Sequence, residues 1–286
     1  MKLARTGERH IHDRAGAKIL NAIAAIIAVA VALTILLLVF GSGHIRWRVI
    51  GEYFFSPIML TGVYNTLMLT VVSFAGSLVL GTLLAAMRVS TNRVLNVMAA
   101  VYIWFFRGTP LLVQVVFWFN FGLFLPAIKL GAYSIDTNSL ISATSAALLG
   151  LLLNVSAFMC EVIRGGLIAV DHGQTEAALS IGMTPIRALT KIVLPQAIRV
   201  IVPAAGNLAI DLLKGTSLVY VIGTREILGT TQSIAAQNFY IIEMLLVASI
   251  WYLILVSVAS YGQSMLEARL QKSLNTTVVK KVQAIP

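Results

Sequence analysis

Residues 59–87 read MLTGVYNTLMLTVVSFAGSLVLGTLLAAM and carry no charged side chain. A bilayer core about 30 Å thick is crossed by about 20 residues of apolar helix, so this stretch predicts a membrane-spanning helix. The rest of the chain has the same character, since 58% of its 286 residues are hydrophobic, only 11% are charged and the mean hydropathy is +0.90. These proportions exclude an ordinary soluble domain. The sequence therefore predicts an all-α, multi-pass transmembrane helical bundle.

Further apolar runs bring the expected number of spans to about six. They cover residues 19–40, 94–125, 140–160, 200–223 and 239–261. The first run follows a basic start and contains Ala28-Val29-Ala30, which resembles a signal-peptide cleavage site, but its length favours a membrane anchor. The single cysteine, Cys160, excludes an internal disulfide framework and a cysteine-based metal cluster.

The basic residues are concentrated in alternate loops. Of the 21 Lys and Arg residues, 15 lie in segments 1–18, 87–93, 161–199 and 263–286. The intervening loops, 41–58, 126–139 and 224–238, hold only 4. Because cytoplasmic loops carry the excess of Lys and Arg, both termini are predicted to be cytoplasmic. Membrane insertion thus explains the net charge of +10, and no nucleic-acid partner is expected, since no soluble basic face with interleaved aromatics is present.

Small and hydroxyl residues follow one face of the second span. They recur at intervals of three and four, at Gly62, Thr66, Thr70, Ser73, Ser77 and Gly81. Residues at this spacing line one helical face and allow two helix backbones to approach closely. We expect this face to pack against another helix of the same chain, with a contact between subunits as the alternative.

The third run, 94–125, is longer than one straight crossing requires. Arg107-Gly108-Thr109-Pro110 lies in its middle and predicts a broken helix, because proline removes a donor and arginine is costly in hydrocarbon. Irregular backbone at membrane depth is tolerated only where it is buried in protein or lines a cavity. Arg107 and the nearby Gln114 are therefore candidates for a substrate pathway. Alternatively, Arg107 caps carbonyls that the break leaves free.

The fifth span carries two charges of opposite sign. Asp211 and Lys214 are three residues apart, so they share a helical face and are expected to pair. The pair is either structural or faces a cavity, where it would meet both charges of a zwitterion. Pro203 is placed to kink this span, and Asn207 adds a polar group one turn before Asp211. Asn207, Asp211 and Lys214 are thus further pathway candidates.

The segment between the fourth and fifth spans, 161–199, is too long for a structureless connection and predicts two short helices. Asp171 is placed to cap the first helix, Gly182 to end it and Pro185 to open the second. The first helix is expected near 172–181. Its face is small and apolar, being formed by Ala177, Ala178 and Ile181. Such a face suits close approach by another protein, although it would also fit against the spans of this chain.

The same segment carries a spaced motif. Glu176-Ala177-Ala178 is followed by Gly182 and then by Ile192-Val193-Leu194-Pro195. In identity and spacing this pattern resembles the EAA loop of permease subunits of ABC importers. Flanking stretches are similar to the polar amino-acid branch of that family, the histidine and glutamine type, at 61–67, 107–114, 161–166 and 212–218. The resemblance extends over about residues 60–270.

The resemblance implies a permease core at 59–270, with the EAA coupling loop at 161–199. Residues 1–58 would form a basic cytoplasmic N-terminus, an extra anchor and an outer loop, and 271–286 a cytoplasmic tail. A coupling helix would dock on a cytoplasmic ATPase. The coupling residues are Glu176, Ala177, Ala178, Gly182, Ile192, Leu194 and Pro195.

The resemblance also implies the assembly. We expect a bacterial inner-membrane complex of two permease subunits, identical or similar, two ABC ATPase subunits and an extracytoplasmic solute-binding protein. The chain has no Gly-x4-Gly-Lys-Ser/Thr loop, so ATP and Mg are expected on the ATPase and no cofactor in this chain. Its histidines form no HExxH, and we expect no catalytic residue and no metal site.

Three other functions remain open. The chain could be an ABC permease for another small polar solute. It could also be an ion-coupled secondary transporter, since broken helices and midmembrane charges occur there too. The sequence shows no duplicated half, and an EAA loop has no purpose without an ATPase, which argues against that alternative. A purely structural membrane scaffold would leave the pathway charges unexplained.

Overall fold

The computed structural model describes residues 20–31, 33–34, 37–38, 41, 43, 45–130, 133–137 and 141–282. The chain divides into two compact units, Met1–Gly51 and Glu52–Pro286. In the first unit, helix α1 spans Leu20–Val31 and exposes its apolar side chains. Six residues of the predicted first span, 19–40, lie outside the described residues, as do the whole basic segment before it and the last four residues of the predicted tail.

The remaining described elements are almost all helical. In chain order the helices are α2 Trp47–Phe54, α3 Pro57–Val89, α4 Arg93–Gly108, α5 Leu111–Phe119, α6 Ala143–Ile168, α7 His172–Ser180, α8 Pro185–Ala188, α9 Leu194–Gly215, α10 Ile227–Asn238 and α11 Ile241–Val282. A short antiparallel hairpin, β1 Ala127–Leu130 and β2 Tyr133–Asp136, pairs Ala127 with Asp136. The predicted all-α class is confirmed, apart from this hairpin.

Four helical segments are long and apolar enough to cross a membrane, namely Pro57–Val89, Ala143–Ile168, Pro185–Ile222 and Ile241–Leu270. Helices α4 and α5 add a fifth when they are taken as one span, which is bent by 101° at the Gly108 end of α4. The second to sixth predicted spans are thus found. The expected number of about six is one more than these described segments provide.

The fourth span is longer than predicted. Its expected end is Cys160, whereas α6 continues to Ile168. Glu161 and Arg164 lie one turn apart and form an ion pair, with 2.6 Å between Nη2 and Oε2. Because each charge offsets the other, the two residues extend the helix instead of ending it.

The small face of α3 packs inside the chain, as predicted. Gly62, Thr66, Ser73, Ser77 and Gly81 are all buried. At one end of the helix, the Thr66 hydroxyl oxygen accepts a hydrogen bond of 3.1 Å from the Ile227 amide of α10. Near the other end, α3 meets α6 so closely that a Cβ on Gly81 would lie 2.7 Å from Cβ of Met159. Helix packing within one chain therefore accounts for the face.

Two apolar clusters form the core around this contact. One joins α3, α4, α6 and α9 through Leu84, Ile103, Met159 and Ile201. The other joins α3, α5, α6 and α9 through Leu69, Val115, Leu151 and Leu212. Helix α6 contributes to both clusters and to the contact with α3. It is therefore the central helix against which the broken helix and the fifth span are held.

Replacing Gly81 with alanine is expected to destabilise the bundle. The new methyl group would collide with a Cβ atom and with the Ser156 carbonyl oxygen at 3.1 Å, neither of which is the free end of a flexible side chain. Overpacking of this kind costs about 1–3 kcal/mol. Gly165→Ala is the matched control, because nothing lies within 4 Å of a Cβ there. Thermal unfolding of the purified protein in detergent should show a lower Tm for the first variant only; equal Tm values would contradict the packing.

Candidate functional site

The break in the third span is closed by an amide side chain. Gln114 of α5 is 4% exposed, and its Nε2 donates to the carbonyl oxygens of Phe106 and Thr109, each at 3.0 Å, and to the Thr109 hydroxyl at 2.7 Å. Asn154 of α6 donates a second bond of 3.0 Å to the Phe106 oxygen. Backbone carbonyls at a helix end need such partners when water is excluded. Side chains of α5 and α6 therefore stabilise the break by hydrogen bonds to its backbone carbonyls.

Replacing Gln114 with leucine is expected to destabilise the broken span. The buried Phe106 carbonyl and the part-buried Thr109 carbonyl would each lose a donor, at a cost of about 1–3 kcal/mol. Gln237→Leu is the control, because Gln237 is an exposed amide of α10. The measurement is again Tm in detergent, and a Gln114 variant as stable as the Gln237 variant would contradict the role of this amide.

Of the two interpretations of Arg107, the structure argues against the capping of carbonyls freed by the break and leaves the substrate pathway as a prediction. Its side chain is exposed, and the guanidinium carbon lies 5.2 Å from the centre of the Phe158 ring in α6. Such a cation–π contact holds the charge against an apolar helix. The Phe106 and Thr109 carbonyls at the break are bonded by Gln114 and Asn154, and within the part of the chain that the structure describes no carbonyl accepts from the Arg107 side chain.

The charged pair of the fifth span forms as predicted. Lys214 Nζ lies 2.8 Å from Asp211 Oδ1, and the two side chains are 53% and 67% exposed. Asp211 lines a cavity of about 230 Å³ together with Phe158 and Asn154. Phe158 therefore borders both Arg107 and the Asp211 cavity. Two of the candidate pathway residues, one of each charge, are thus linked to Phe158: Arg107 by contact with the ring, and Asp211 through the cavity that both residues line.

The other pathway candidates are placed less closely. Asn207 is exposed one turn before Asp211, and neither it nor Lys214 lines the Asp211 cavity. Gln114 lines a separate apolar cavity of about 520 Å³, which is surrounded by aromatic side chains of α4 and α5. Of the five candidates, only Asp211 and Gln114 therefore line these cavities, and they line different ones.

Helix α7 forms the first part of the predicted coupling loop and ends as predicted. The carboxylate of Asp171 accepts a bond of 2.6 Å from the Gly173 amide, which caps the start. At the other end Gly182 has a φ of +84°, and its amide donates to the Leu179 carbonyl at 2.9 Å. The Met183 amide donates to the Ala178 carbonyl at 3.1 Å, which completes a Schellman motif. The helix is therefore fixed at both ends by local contacts.

The predicted second short helix is not separate, which corrects the expected loop boundary. Helix α8 begins at Pro185 and passes through a π-helical segment, Leu189–Val193, directly into α9. The wider π turn accommodates Pro195, which has no amide hydrogen to donate to an α-helical partner. Ile192, Leu194 and Pro195 consequently lie within the helical entry of the fifth span. The connection shortens from 161–199 to 169–184.

Helix α7 packs one face on this chain and exposes the other. Ala178 is 4% exposed and packs on this chain, whereas Ala177 and Glu176 are exposed. Large apolar side chains remain uncovered beside them, with Ile181 81% and Ile186 74% exposed. We call Ala177, Leu179, Ile181 and Ile186 the coupling surface.

One functional candidate has no counterpart among the residues predicted from the sequence. Glu226 is fully buried and caps α10, because Oε1 accepts from the Gly229 amide at 2.6 Å and Oε2 from the Leu228 amide at 2.7 Å. The Tyr252 hydroxyl of α11 donates to Oε2 at 2.8 Å. Burial raises the pKa of Glu226 above its usual value, and these hydrogen bonds oppose that rise. The sequence signal was an acidic residue directly before a helical run.

The structure has a bundle of apolar spans, one of them broken, with charged residues within the spans and a capped helix that exposes apolar side chains. These features are typical of a helical membrane transport subunit. The chain belongs to the family of binding-protein-dependent transport system inner membrane components, whose sequence model matches residues 77–272.

Relatives and solved structures agree with this assignment. The chain is 38% identical to the arginine transport system permease protein ArgU of Corynebacterium glutamicum, over 91% of this chain and 83% of the relative. It is 33% identical to the probable glutamine ABC transporter permease protein GlnM of Bacillus subtilis, over 75% and 94%. The structure of an amino acid ABC transporter with histidines matches with a TM-score of 0.71 and 31% identity, covering 79% of this chain and 99% of that chain.

Proposed function

We propose that this chain is the membrane-spanning permease subunit of an ATP-driven ABC importer that translocates a polar amino acid. An extracytoplasmic binding protein would deliver the solute. The family match supports the transporter class, and the names of the arginine and glutamine relatives support the substrate class. ATP and Mg would be bound by a separate ATPase, because the sequence has no phosphate-binding loop of the Gly-x4-Gly-Lys-Ser/Thr type.

The proposed assembly follows from the charge distribution. With both termini cytoplasmic, α7 and the coupling surface face the ATPase on the inner side of a bacterial inner membrane. A second permease subunit, identical or similar, would complete the pathway. The exposed apolar side chains of the coupling surface suit a groove on the ATPase, because uncovered groups of that size mark interaction sites.

One observation carries the proposed mechanism: helical structure is continuous from Ile186 of the coupling surface to the charged pair. Pro185–Ile222 is a single helical segment of 38 residues. Ile186 is the second residue of this segment, and Asp211 and Lys214 lie further along it. A displacement of α7 and α8 by the ATPase would move this rod, and rigid bodies that rock about a site are what alternating access requires.

The charges of the pathway would then meet the solute. Arg107 contacts the Phe158 ring and Asp211 lines a cavity with Phe158, so the two residues would present both signs of charge to a zwitterionic amino acid. Gln114, Asn207 and Lys214 are proposed as further pathway residues. Gln114 would act through the shape of the break that it closes.

The test is transport by the reconstituted complex. Liposomes containing this chain, its ATPase and its binding protein should take up an amino acid only when ATP is supplied on the ATPase side. Calorimetry of the binding protein against a panel of amino acids identifies the solute, and binding of only some other polar solute would replace the substrate class. Uptake by the isolated chain under an ion gradient, without the ATPase, would contradict the proposal and favour a secondary transporter.

A further inference from the structure

A second polar cavity lies away from all five predicted pathway residues. It has a volume of about 260 Å³ and is found near the starts of α3 and α6, beside the segment that leads into α10. The polar residues that line it are Asn65, Thr144, Thr224 and Arg225. None of the residues that line it is acidic.

The segment before α10 supplies two hydrogen-bond donors. Thr224 is 5% exposed, and its buried hydroxyl has no hydrogen-bond partner in the part of the chain that the structure describes. A buried polar group of this kind is costly unless a ligand or water completes it. Arg225 is exposed, and its side chain makes no ion pair with any described residue. Asn65 Nδ2 donates to the Arg225 carbonyl at 2.8 Å and so holds this segment against α3.

The neighbouring acid, Glu226, already has hydrogen-bond partners for both of its carboxylate oxygens. Glu226 follows Arg225 in the sequence, but its carboxylate accepts from the Leu228 and Gly229 amides and from Tyr252. Its oxygens are directed to α10 and α11 by these bonds. The Arg225 guanidinium therefore remains available to an external anion.

The start of α6 adds a third source of positive potential. Ser142 caps this helix of 26 residues and accepts from the Ser145 amide at 3.2 Å. Ala143 and Thr144, the first two helical residues, line the cavity. The first amides of a helix have no partner within it, and the helix dipole favours negative charge at this end.

We propose that this cavity binds the carboxylate group of the amino acid before it reaches Asp211. The inference rests on the proposed function and on the proposed orientation, in which this end of the bundle faces the binding protein. An arginine, a helix start and an unpartnered hydroxyl are all donors, and together they match the oxygens of a carboxylate. The solute would enter with its carboxylate bound in the cavity and its side chain free.

The test labels a cysteine introduced at the cavity, which is possible because the single native cysteine is inaccessible. Cys160 is fully buried, so T144C introduces one accessible thiol at the cavity while keeping the Thr144 backbone amide. The assembled complex is labelled with neutral N-ethylmaleimide in the presence of L-arginine or its decarboxylated amine, agmatine. L-glutamine and 4-aminobutanamide form a second pair. The amino acid that the complex transports should slow the labelling, and its amine should not.

A second substitution tests the guanidinium. Adding R225Q to the T144C background should weaken protection by about tenfold or more, as expected for loss of a charged hydrogen bond. R93Q, at an exposed arginine where α4 begins, is the matched control and should leave protection unchanged. Equal protection by acid and amine, or protection that survives R225Q, would overturn the proposal.

The binding protein provides a separate arm. Protection by the solute-free binding protein, without any by free amino acid, would assign the cavity to protein docking and overturn the carboxylate site. Uptake is measured on the same preparations. A complex that transports with ATP but shows no protection by solute refutes this inference alone, whereas loss of ATP dependence refutes the proposed function.

Discussion

Tryptophan in place of Ala177 is expected to separate ATP hydrolysis from solute uptake. Ala177 is exposed on α7, so the larger side chain fits the isolated subunit but collides with a partner that docks there. A clash in a packed contact costs about 2 kcal/mol, which is about 30-fold in the docking equilibrium. Uptake in liposomes should fall by a factor of this order, while the ATPase subunits still hydrolyse ATP without stimulation by the loaded binding protein.

Ala86→Trp is the control for this variant, because Ala86 is an exposed alanine of α3 far from the coupling surface in sequence. It should transport normally. Gly182→Leu should uncouple as well, since a branched residue at a φ of +84° is strained and releases the end of α7. Unchanged uptake and unchanged stimulation in the Ala177 variant would contradict the docking of α7 on the ATPase.

Glu226→Ala is expected to cause the largest loss of stability among these variants. The substitution leaves the buried Gly229 amide and the part-buried Leu228 amide without an acceptor, and the Tyr252 hydroxyl without its carboxylate. Each unsatisfied buried group costs about 1–3 kcal/mol, so a total of about 3 kcal/mol or more is expected. Glu176→Ala, at an exposed glutamate of α7, is the control. Tm measurements in detergent check the difference, and similar Tm values for the two variants would rule out the capping role.

The same carboxyl group predicts a pH dependence. Burial raises the pKa of Glu226, so the folded protein holds its proton more tightly than the unfolded chain. The resulting stabilisation is present below the usual glutamate pKa and is lost as the pH rises through the folded-state value. The free energy of unfolding of the wild type, measured relative to Glu226→Gln, should therefore fall with rising pH across that window. If the difference in free energy of unfolding between the wild type and Glu226→Gln did not change with pH, the raised pKa of Glu226 would be contradicted.

Local signals explain what could be predicted from the sequence. Asp171 and Gly182 bound α7 because their capping bonds are made with residues one turn away. The break after Gly108 follows from the proline beside it, and the buried face of α3 from its small residues. The ion pair between Asp211 and Lys214 could be predicted from their spacing of three residues alone.

The remaining features depend on partners that spacing does not reveal. The apolar pattern ends the fourth span at Cys160, because Glu161 and Arg164 read as isolated charges, whereas the two form an ion pair within α6. The fusion of α8 with α9 depends on a π segment that admits Pro195, whereas proline alone suggests a boundary. An acidic residue directly before α10 is a local signal for the cap at Glu226, but the Tyr252 hydroxyl that completes the site lies 26 residues further along the chain, and no local pattern shows that contact.

The most direct measurement of the central claim is site-specific photocrosslinking at Ile181, the most exposed large apolar residue of the coupling surface. A benzophenone amino acid placed there in the assembled, membrane-embedded complex reports what covers this side chain. We predict a covalent adduct with the ATPase subunit whose yield changes with the bound nucleotide. Adducts with lipid or with this chain itself, and none with the ATPase, would contradict the account.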